Sequence, residues 1–495
     1  MKKTKIICTL GPASTSEKII KELFLNGMNV GRFNFSHGDH AEHKKRIDMF
    51  RKVRDELKMP GAVLLDTKGP EIRTRNFENG VVTLFEGNKF VLTTADVIGN
   101  DEKVSITYDN LPNEVKKGCK ILIDDGKVEL KVEEVIDDEI HCVITMGGTI
   151  KDKRGINIPS VNLKMPYLSD NDKSDLIFGI EQDVDYIAAS FVRRKEDLID
   201  LRNFLDYHGG DKIKIISKIE CQEGIDNFDD ILKLSDGIMV ARGDMGVEVD
   251  YDRLPGIQKR FIAKCYQSGK TVITATQMLE SMINNPTPTR AEISDVANAV
   301  FDGTSVIMLS GETANGKYPV LALKAMARIA IRAEEDAFDL NKYKQLQQDI
   351  IIGDVTSAIS DATCTTAKDI NAKAIIAVTN SGRTARAVSR FRPEVPIVAA
   401  TPSIKSFHQL ALNWGVIPVV SRNQVHNDDL MKHAAVCAKQ VGLVENGDVV
   451  VFENSDIEKL TLTINGQDLA VSLNPNMDLL IPEDNDGGEI MSNTQ

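Results

Sequence analysis

Up to about residue 338, short β-branched apolar runs alternate with polar tips and amphipathic, helix-spaced stretches. The runs are KIICTL, MNVGRFNF, GAVLLDT, DYIAASF, IKIISKIE, GIMVAR, TVITAT and TSVIMLS. Eight strands alternating with helices predict an α/β fold, a (β/α)8 barrel, whose reactive groups gather at the carboxyl ends of the strands. Periodicity alone also admits a doubly wound open sheet. The polar tips fit the barrel rule: Asn34 and Ser36 follow the second run, Asp66 and Lys68 the third. Lys218 with Glu220, then Asp244, Thr276 and Glu312, follow later ones.

The alternation breaks once. From roughly Glu71 to Lys164 the chain turns to short alternating strands with turn signals, as in GVVTLFEGNKFVLTT and CKILIDDGKVELKVEEV, and no good helix. This predicts a small all-β module inserted at the top of the barrel, placed to act as a lid; an insertion that only stabilises or mediates contacts is the other reading. After about residue 339, AIIAVT, VPIVAAT and GVIPVV alternate with helical segments and predict a separate α/β sheet. Asn465-Gly466 is a two-residue hairpin signal, and the final EDNDGGEIMSNTQ reads as disordered. The expected units are residues 1–70 with 166–338 for the barrel, 71–165 for the lid, 339–482 for the C-terminal α/β domain, and 483–495 for an acidic tail.

Composition narrows the function classes. A chain of 495 residues exceeds one compact core, and 42% hydrophobic with 27% charged residues is a globular balance. Sixty basic against seventy-three acidic residues give a formal charge of −13. That argues against bulk binding to nucleic acid or anionic membrane, while leaving room for local basic pockets. No apolar stretch has the length of a membrane span, and MKKTKIICTL lacks a signal peptide's apolar core. The seven scattered cysteines, without a CxxC, read as ordinary thiols of a reducing cytosol rather than a zinc site or nucleophile. A cytoplasmic location is expected.

Two constellations carry chemistry. Side chains alternate along a strand, so Lys218 and Glu220 point the same way, and Asp244 ends the next run just before a predicted helix. One ammonium beside two carboxylates suits a Mg²⁺ site handling an anionic substrate; an ion pair and a helix cap are the plain alternative. In the third unit, AIIAVT-NSGRT-ARAVSRF reads strand, glycine-containing loop, helix. Such a loop offers amides and hydroxyls to a phosphate, or is an ordinary turn.

The segments CTLGPAS, NVGRFNFSHG, LLDTKGPEIRT, IISKIE, IMVARGDMGVE, TATQMLESM, PTRAEISDVANAV and MLSGETANGKYP together resemble the pyruvate kinases over the whole barrel. The resemblance implies transfer of a phosphoryl group from phosphoenolpyruvate to ADP, giving pyruvate and ATP in glycolysis, with Mg²⁺ (or Mn²⁺) and K⁺. It implies Glu220 and Asp244 as Mg²⁺ ligands, Lys218 beside the moving phosphoryl and the enolate oxygen, and Arg32 gripping the phosphate. Asn34, Ser36, Asp66 and the Thr67 carbonyl match the K⁺ site, and Glu71 goes with K⁺ dependence. Gly243 and Asp244 amides would take the substrate carboxylate, with Thr276 contacting it and serving enolate protonation through a water relay. Arg73, His37, Arg154 and Asp125 are the nucleotide-side residues, Arg154 standing where many relatives carry lysine.

For an effector phosphate the resemblance implies Thr379, Ser381, Gly382, Arg383 and Thr384, taking an activating sugar phosphate or nucleotide. Two departures matter. Asn380 stands where some fructose-bisphosphate-activated relatives have lysine, and after VVVFE the family's glycine-rich loop, TTN-like motif and last strand are missing. The expectation is a phosphate loop under-equipped for strong activation. A homotetramer is implied. The competing functions are a Mg²⁺-dependent lyase or aldolase acting on pyruvate enolates, and a silent metabolite-binding relative. The first needs neither the K⁺ set nor the lid; the second predicts loss of Lys218, Glu220, Asp244 or Thr276, and all four are present.

Overall fold

The eight apolar runs become Lys5–Thr9, Val30–Asn34, Ala62–Asp66, Tyr186–Ala189, Lys214–Ile219, Gly237–Ala241, Thr271–Ala275 and Val306–Leu309. In the computed structural model, which describes residues 1–159, 161–348, 350–422, 427–453, 459–464 and 467–472, they are all parallel and neighbour each other in sequence order. The first strand pairs with the eighth, from Lys5 against Val306 to Cys8 against Leu309, so the sheet closes. That closure excludes the open doubly wound sheet. Ile7, Leu64, Ile216, Met239, Ile273 and Met308 fill the interior, while Ile6, Cys8, Leu65, Ile238 and Leu309 pack against the surrounding helices. Both faces of each strand are dry, which is why the runs are apolar without polar alternation. Leu412, from the third unit, joins the interior cluster.

Between the third and fourth barrel strands the chain forms the expected β module. A seven-stranded sheet and the pair Val81–Leu84 with Gly148–Lys151 enclose their own core, with Phe90, Leu92, Ile121 and Leu130 fully buried. Lys120–Ile123 and Val128–Ile136 pair antiparallel around a turn in which Asp124 and Asp125 both have φ of +56°. Aspartate tolerates this left-handed region better than most residues. One element differs from expectation: Leu111–Glu114 is a single helical turn, opened by a proline near its start.

The third unit carries four parallel strands in the order Val416–Val420, Ile397–Thr401, Ala374–Val378, Val450–Glu453, with an apolar cluster on each face. Lys459–Ile464 and Gln467–Ser472 pair antiparallel as a separate ribbon. The Asn465-Gly466 turn and the acidic tail of 483–495 lie outside the described residues. Among the described residues, no helix is long and apolar enough to cross a membrane.

Candidate active site

The carboxyl ends of the barrel strands place the predicted charges in one buried network. Arg32 Nε donates to Asp66 Oδ2 at 2.5 Å, and Arg32 Nη1 to Thr9 Oγ1 at 2.9 Å. Lys218 Nζ donates to Asp66 Oδ1 at 3.0 Å and to Ser190 Oγ at 2.6 Å, and lies 3.0 Å from Glu220 Oε1. Lys218 and Glu220 thus share a face, as strand alternation requires. Burial opposes charge on all three groups. Asp66 and Glu220 nevertheless hold the Lys218 ammonium above its ordinary pKa, and Arg32 with Lys218 hold the Asp66 carboxyl below its own.

Glu220 is different. Its burial outweighs the pull of Lys218, and with the negative charge of Asp244 nearby its carboxyl is driven up to about 8. Glu220 Oε2 accepts from the Phe191 amide at 2.7 Å, while Oε1 meets the Lys218 ammonium as an ion pair without a formed hydrogen bond. A buried carboxylate so sparsely bonded, with a second carboxylate beside it, is a donor set that a hard divalent cation relieves. No group of three or more His, Cys, Asp or Glu side chains capable of holding a metal occurs among the described residues. Two protein oxygens fit an ion such as Mg²⁺, which keeps several waters and takes substrate oxygens for its remaining positions.

Asp244 does not precede its helix, as expected, but sits in the first turn of Arg242–Glu248. Its neighbour Gly243 donates its amide to Thr276 Oγ1 at 2.8 Å, so this predicted carboxylate donor is already engaged. Thr276 has φ of +67°, an uncommon backbone for a β-branched residue and worth about 1–3 kcal/mol of strain. Arg242 holds it there: Nη2 donates to the Thr276 carbonyl at 2.6 Å and Nη1 to Asp295 at 2.8 Å.

A cavity of about 350 Å³ opens above the network. Arg32, Asn34, Ser36, His37, Lys218, Glu220 and Asp244 line it from the barrel, and Arg73, Asp125 and Arg154 from the lid, together with Glu71 of the junction. Thr276 and Gly243 are not among its lining residues. Of the four expected K⁺ ligands, Asn34 and Ser36 line it, whereas Asp66 and Thr67 are buried behind. Asn34 Oδ1 accepts from the Ser36 amide at 3.1 Å, and the Thr67 carbonyl accepts from Ser190 Oγ at 2.7 Å. Glu312, the eighth tip, turns away from this chemistry: its oxygens accept the Leu279 and Ser310 amides at 3.0 and 2.7 Å.

On the lid, Arg73 pairs with Glu71 at 2.5 Å, and Arg154 lies 3.5 Å from Asp124, the neighbour of Asp125. Burial, then Asp244 and Asp124, push the Asp125 carboxyl above its ordinary pKa. Asn157 Nδ2 donates to Glu248 Oε1 at 2.9 Å, tying the lid to the Asp244 helix. Ser190, Phe191, Asp124 and Glu248 escaped sequence reasoning. Ser190 could have been found, since it ends the run DYIAAS on the strand between Asp66 and Lys218.

The loop of the third unit is built as read: strand Ala374–Val378, Gly382 at φ +81°, then helix Arg383–Arg390. A Cβ on Gly382 would meet Arg386 Nη1 at 2.7 Å and Leu410 at 3.0 Å, so glycine is required twice over. Thr379 and Thr384 are buried, Ser381 and Arg383 exposed. Thr379 Oγ1 accepts the Gly382 amide at 3.0 Å and Ser381 Oγ the Arg383 amide at 3.3 Å. Two of the amides expected to meet a phosphate are held by the loop itself.

Comparison with known proteins agrees over both main parts of the chain. The family model for the pyruvate kinase barrel domain matches residues 1–323, and that for the pyruvate kinase alpha/beta domain matches 357–463. Pyruvate kinase of Staphylococcus haemolyticus is 49% identical over 454 residues, 91% of this chain and 77% of that protein. Pyruvate kinase of Clostridium perfringens is 49% identical over 453 residues, 91% of this chain and 96% of that protein. A crystal structure of a pyruvate kinase from Cryptosporidium parvum superposes with a TM-score of 0.87 at 38% identity, covering 96% of each chain. With a closed barrel, an inserted β module and the Lys218–Glu220–Asp244 constellation in place, the chain belongs to the pyruvate kinase family.

Proposed function

We propose that this chain moves the phosphoryl group of phosphoenolpyruvate to ADP at the mouth of its barrel, with the residues above in distinct roles. The observation that carries the reading is the buried ammonium of Lys218 held charged between Asp66 and Glu220, facing the cavity that the lid covers. Phosphoryl transfer asks for charge neutralisation and in-line positioning more than covalent chemistry by the protein. Arg32 grips the substrate phosphate with a planar, permanently charged fork that Asp66 and Thr9 orient. Lys218 stabilises charge developing on the transferred group and on the enolate oxygen.

Glu220 and Asp244 would hold Mg²⁺ or Mn²⁺, which when bound neutralises charge on the phosphoryl oxygens. Asn34, Ser36, Asp66 and the Thr67 carbonyl would hold K⁺, in keeping with a glutamate at position 71. The Asp244 amide and Thr276 receive the substrate carboxylate, and the Thr276 hydroxyl, a poor acid by itself, orders a water for enolate protonation. His37, Arg73, Arg154 and Asp125 take the nucleotide, and the lid excludes water that would otherwise divert the phosphoryl to hydrolysis. Thr379, Ser381, Gly382, Arg383 and Thr384 are the proposed phosphate loop for a sugar-phosphate or nucleotide effector, and the assembly is a homotetramer.

A coupled assay of ATP formation from phosphoenolpyruvate and ADP, with Mg²⁺ and K⁺ each omitted in turn, tests the reading. Absence of Mg²⁺-dependent turnover overturns it. Titrating phosphoenolpyruvate with and without fructose 1,6-bisphosphate, AMP and ribose 5-phosphate tests the effector loop, and light scattering after size exclusion tests the tetramer.

A further inference from the structure

Where the third unit meets the amino-terminal end of the barrel, a cavity of about 20 Å³ collects cations without a carboxylate. Lys270, Arg386, Arg390 and Arg392 line it, and no Asp or Glu does among the described residues. Arg392 is only 4% exposed. Its Nη2 donates to the Gly303 carbonyl and to Ser305 Oγ, each at 3.0 Å. Its Nε and Nη1 have no hydrogen-bond partner among the described residues. The guanidinium lies 4.5 Å from the Trp414 ring centroid and 5.5 Å from that of Tyr266. Trp414 Nε1, the Tyr266 hydroxyl and Arg390 Nε are buried and unpartnered as well, and so is one acceptor of the lining, Asn413 Oδ1.

The carboxylates that act on these arginines from outside the cavity, Asp354 and Glu334, bond to other groups. Asp354 accepts Ser357 Oγ at 2.7 Å, and Arg390 Nη1 reaches that hydroxyl at 3.1 Å rather than the acid. Glu334 accepts the Lys3 amide at 2.9 Å and the Thr4 amide at 2.6 Å. Buried donors in native proteins are satisfied by protein, water or an ion, so several unpartnered donors on residues lining one cavity point to a guest. Several fixed positive charges with four unfilled donor groups favour an anion over water. A cavity needs roughly 10–15 Å³ to hold one water-sized guest, so this one has room for a single water or a monatomic ion and not for a nucleotide or sugar phosphate. Arg392 also borders a separate cleft of about 620 Å³ beside Tyr343 and Lys368.

We propose that this cavity binds a small inorganic anion of halide size, held by the unpartnered donors of Arg392, Trp414 and Tyr266 that line it, which fastens the third unit to the barrel. The site is separate from the substrate mouth and from the loop Thr379–Thr384, although Arg386 reaches that loop through the Ser381 carbonyl at 3.2 Å.

The test uses the full chain purified in potassium gluconate, with chloride, bromide or phosphate added at constant ionic strength. Chloride and bromide are expected to raise the unfolding midpoint saturably by about 2 °C. Crystals grown in bromide are expected to show an anomalous peak within hydrogen-bonding distance of Arg392. Arg392→Met should abolish the effect. Because that variant can fail to fold, Tyr266→Phe, which keeps its ring, and Trp414→Phe, which keeps an aromatic ring in a smaller side chain, each remove one donor and should weaken the halide dependence about fivefold. Equal midpoints in gluconate and halide, or no bromide peak in the cavity, overturns the proposal. Stabilisation by phosphate alone overturns the halide assignment and points to a polyatomic anion.

Discussion

Lys218 is a single side chain that answers to Asp66, Glu220 and, more weakly, Asp244, and its charge is set by that company rather than by solvent. Lys218→Met should lower kcat about 100- to 1000-fold, the usual cost of losing one charge-stabilising donor at the reacting group. Steady-state kinetics check it: an effect confined to the KM for phosphoenolpyruvate would mean that Lys218 only binds the ground state. At position 71 the sign of the charge is the issue. Glu71→Lys should retain turnover in K⁺-free buffer where the unaltered chain loses it, by about tenfold or more. Identical K⁺ dependence in both chains would remove Glu71 from the argument. Among residues, Lys218, Glu220 and Asp244 were legible because strand alternation and tip position are local properties. Ser190 and Asp124 were not singled out, since a serine or a turn aspartate gains its role only from what the fold brings opposite it.

Elements carry the next set of consequences. The strand Val450–Glu453 ends on a carboxyl that accepts from Ser360 Oγ at 2.6 Å and lies buried beside Thr363. Burial, against the pull of Ser360 and Thr363, raises this carboxyl from 4.5 to about 7. The folded state therefore binds the proton more tightly than the unfolded chain, so the associated stability is present below pH 4.5 and lost as pH rises to 7. Glu453→Gln should remove that loss, a difference on the order of 3 kcal/mol at pH 8, readable as a flatter dependence of unfolding midpoint on pH. On the lid, the strand Gly155–Asn157 ends at the Asn157–Glu248 contact. Asn157→Ala should raise the KM for ADP about fivefold, the worth of roughly 1 kcal/mol for one hydrogen bond, while sparing kcat. A change in kcat alone would assign the contact to chemistry rather than to lid docking.

At the scale of the molecule, the barrel and third unit are joined through buried polar contacts as well as apolar ones. The Gly61 amide donates to His408 Nδ1 at 3.4 Å, and Gln409 Nε2 donates to the Lys212 carbonyl at 2.9 Å. Burial, with Arg54 nearby, depresses His408 from 6.5 to about 3. The ring stays neutral in the folded state while the unfolded chain protonates below pH 6.5. Stability is therefore complete above that value and falls by about 1.4 kcal/mol per pH unit as acidity increases toward pH 3. His408→Asn should flatten this limb in unfolding measured between pH 6.5 and 4; an unchanged slope would show that other groups control acid loosening of the seam.

The sequence by itself determined the order of elements, because apolar periodicity, turn residues and strand-tip polarity are written over a few neighbouring residues. It also determined the family, through long segments that need no structure to compare. Closure of the sheet was decided only by pairing Lys5–Cys8 with Val306–Leu309, some three hundred residues apart. The same holds for the raised pKa of Glu220, which comes from burial and Asp244. It holds too for Arg154 meeting Asp124, and for the cation-lined cavity around Arg392. These depend on distance, desolvation and packing between segments remote in the chain, and such quantities exist only once the chain is folded.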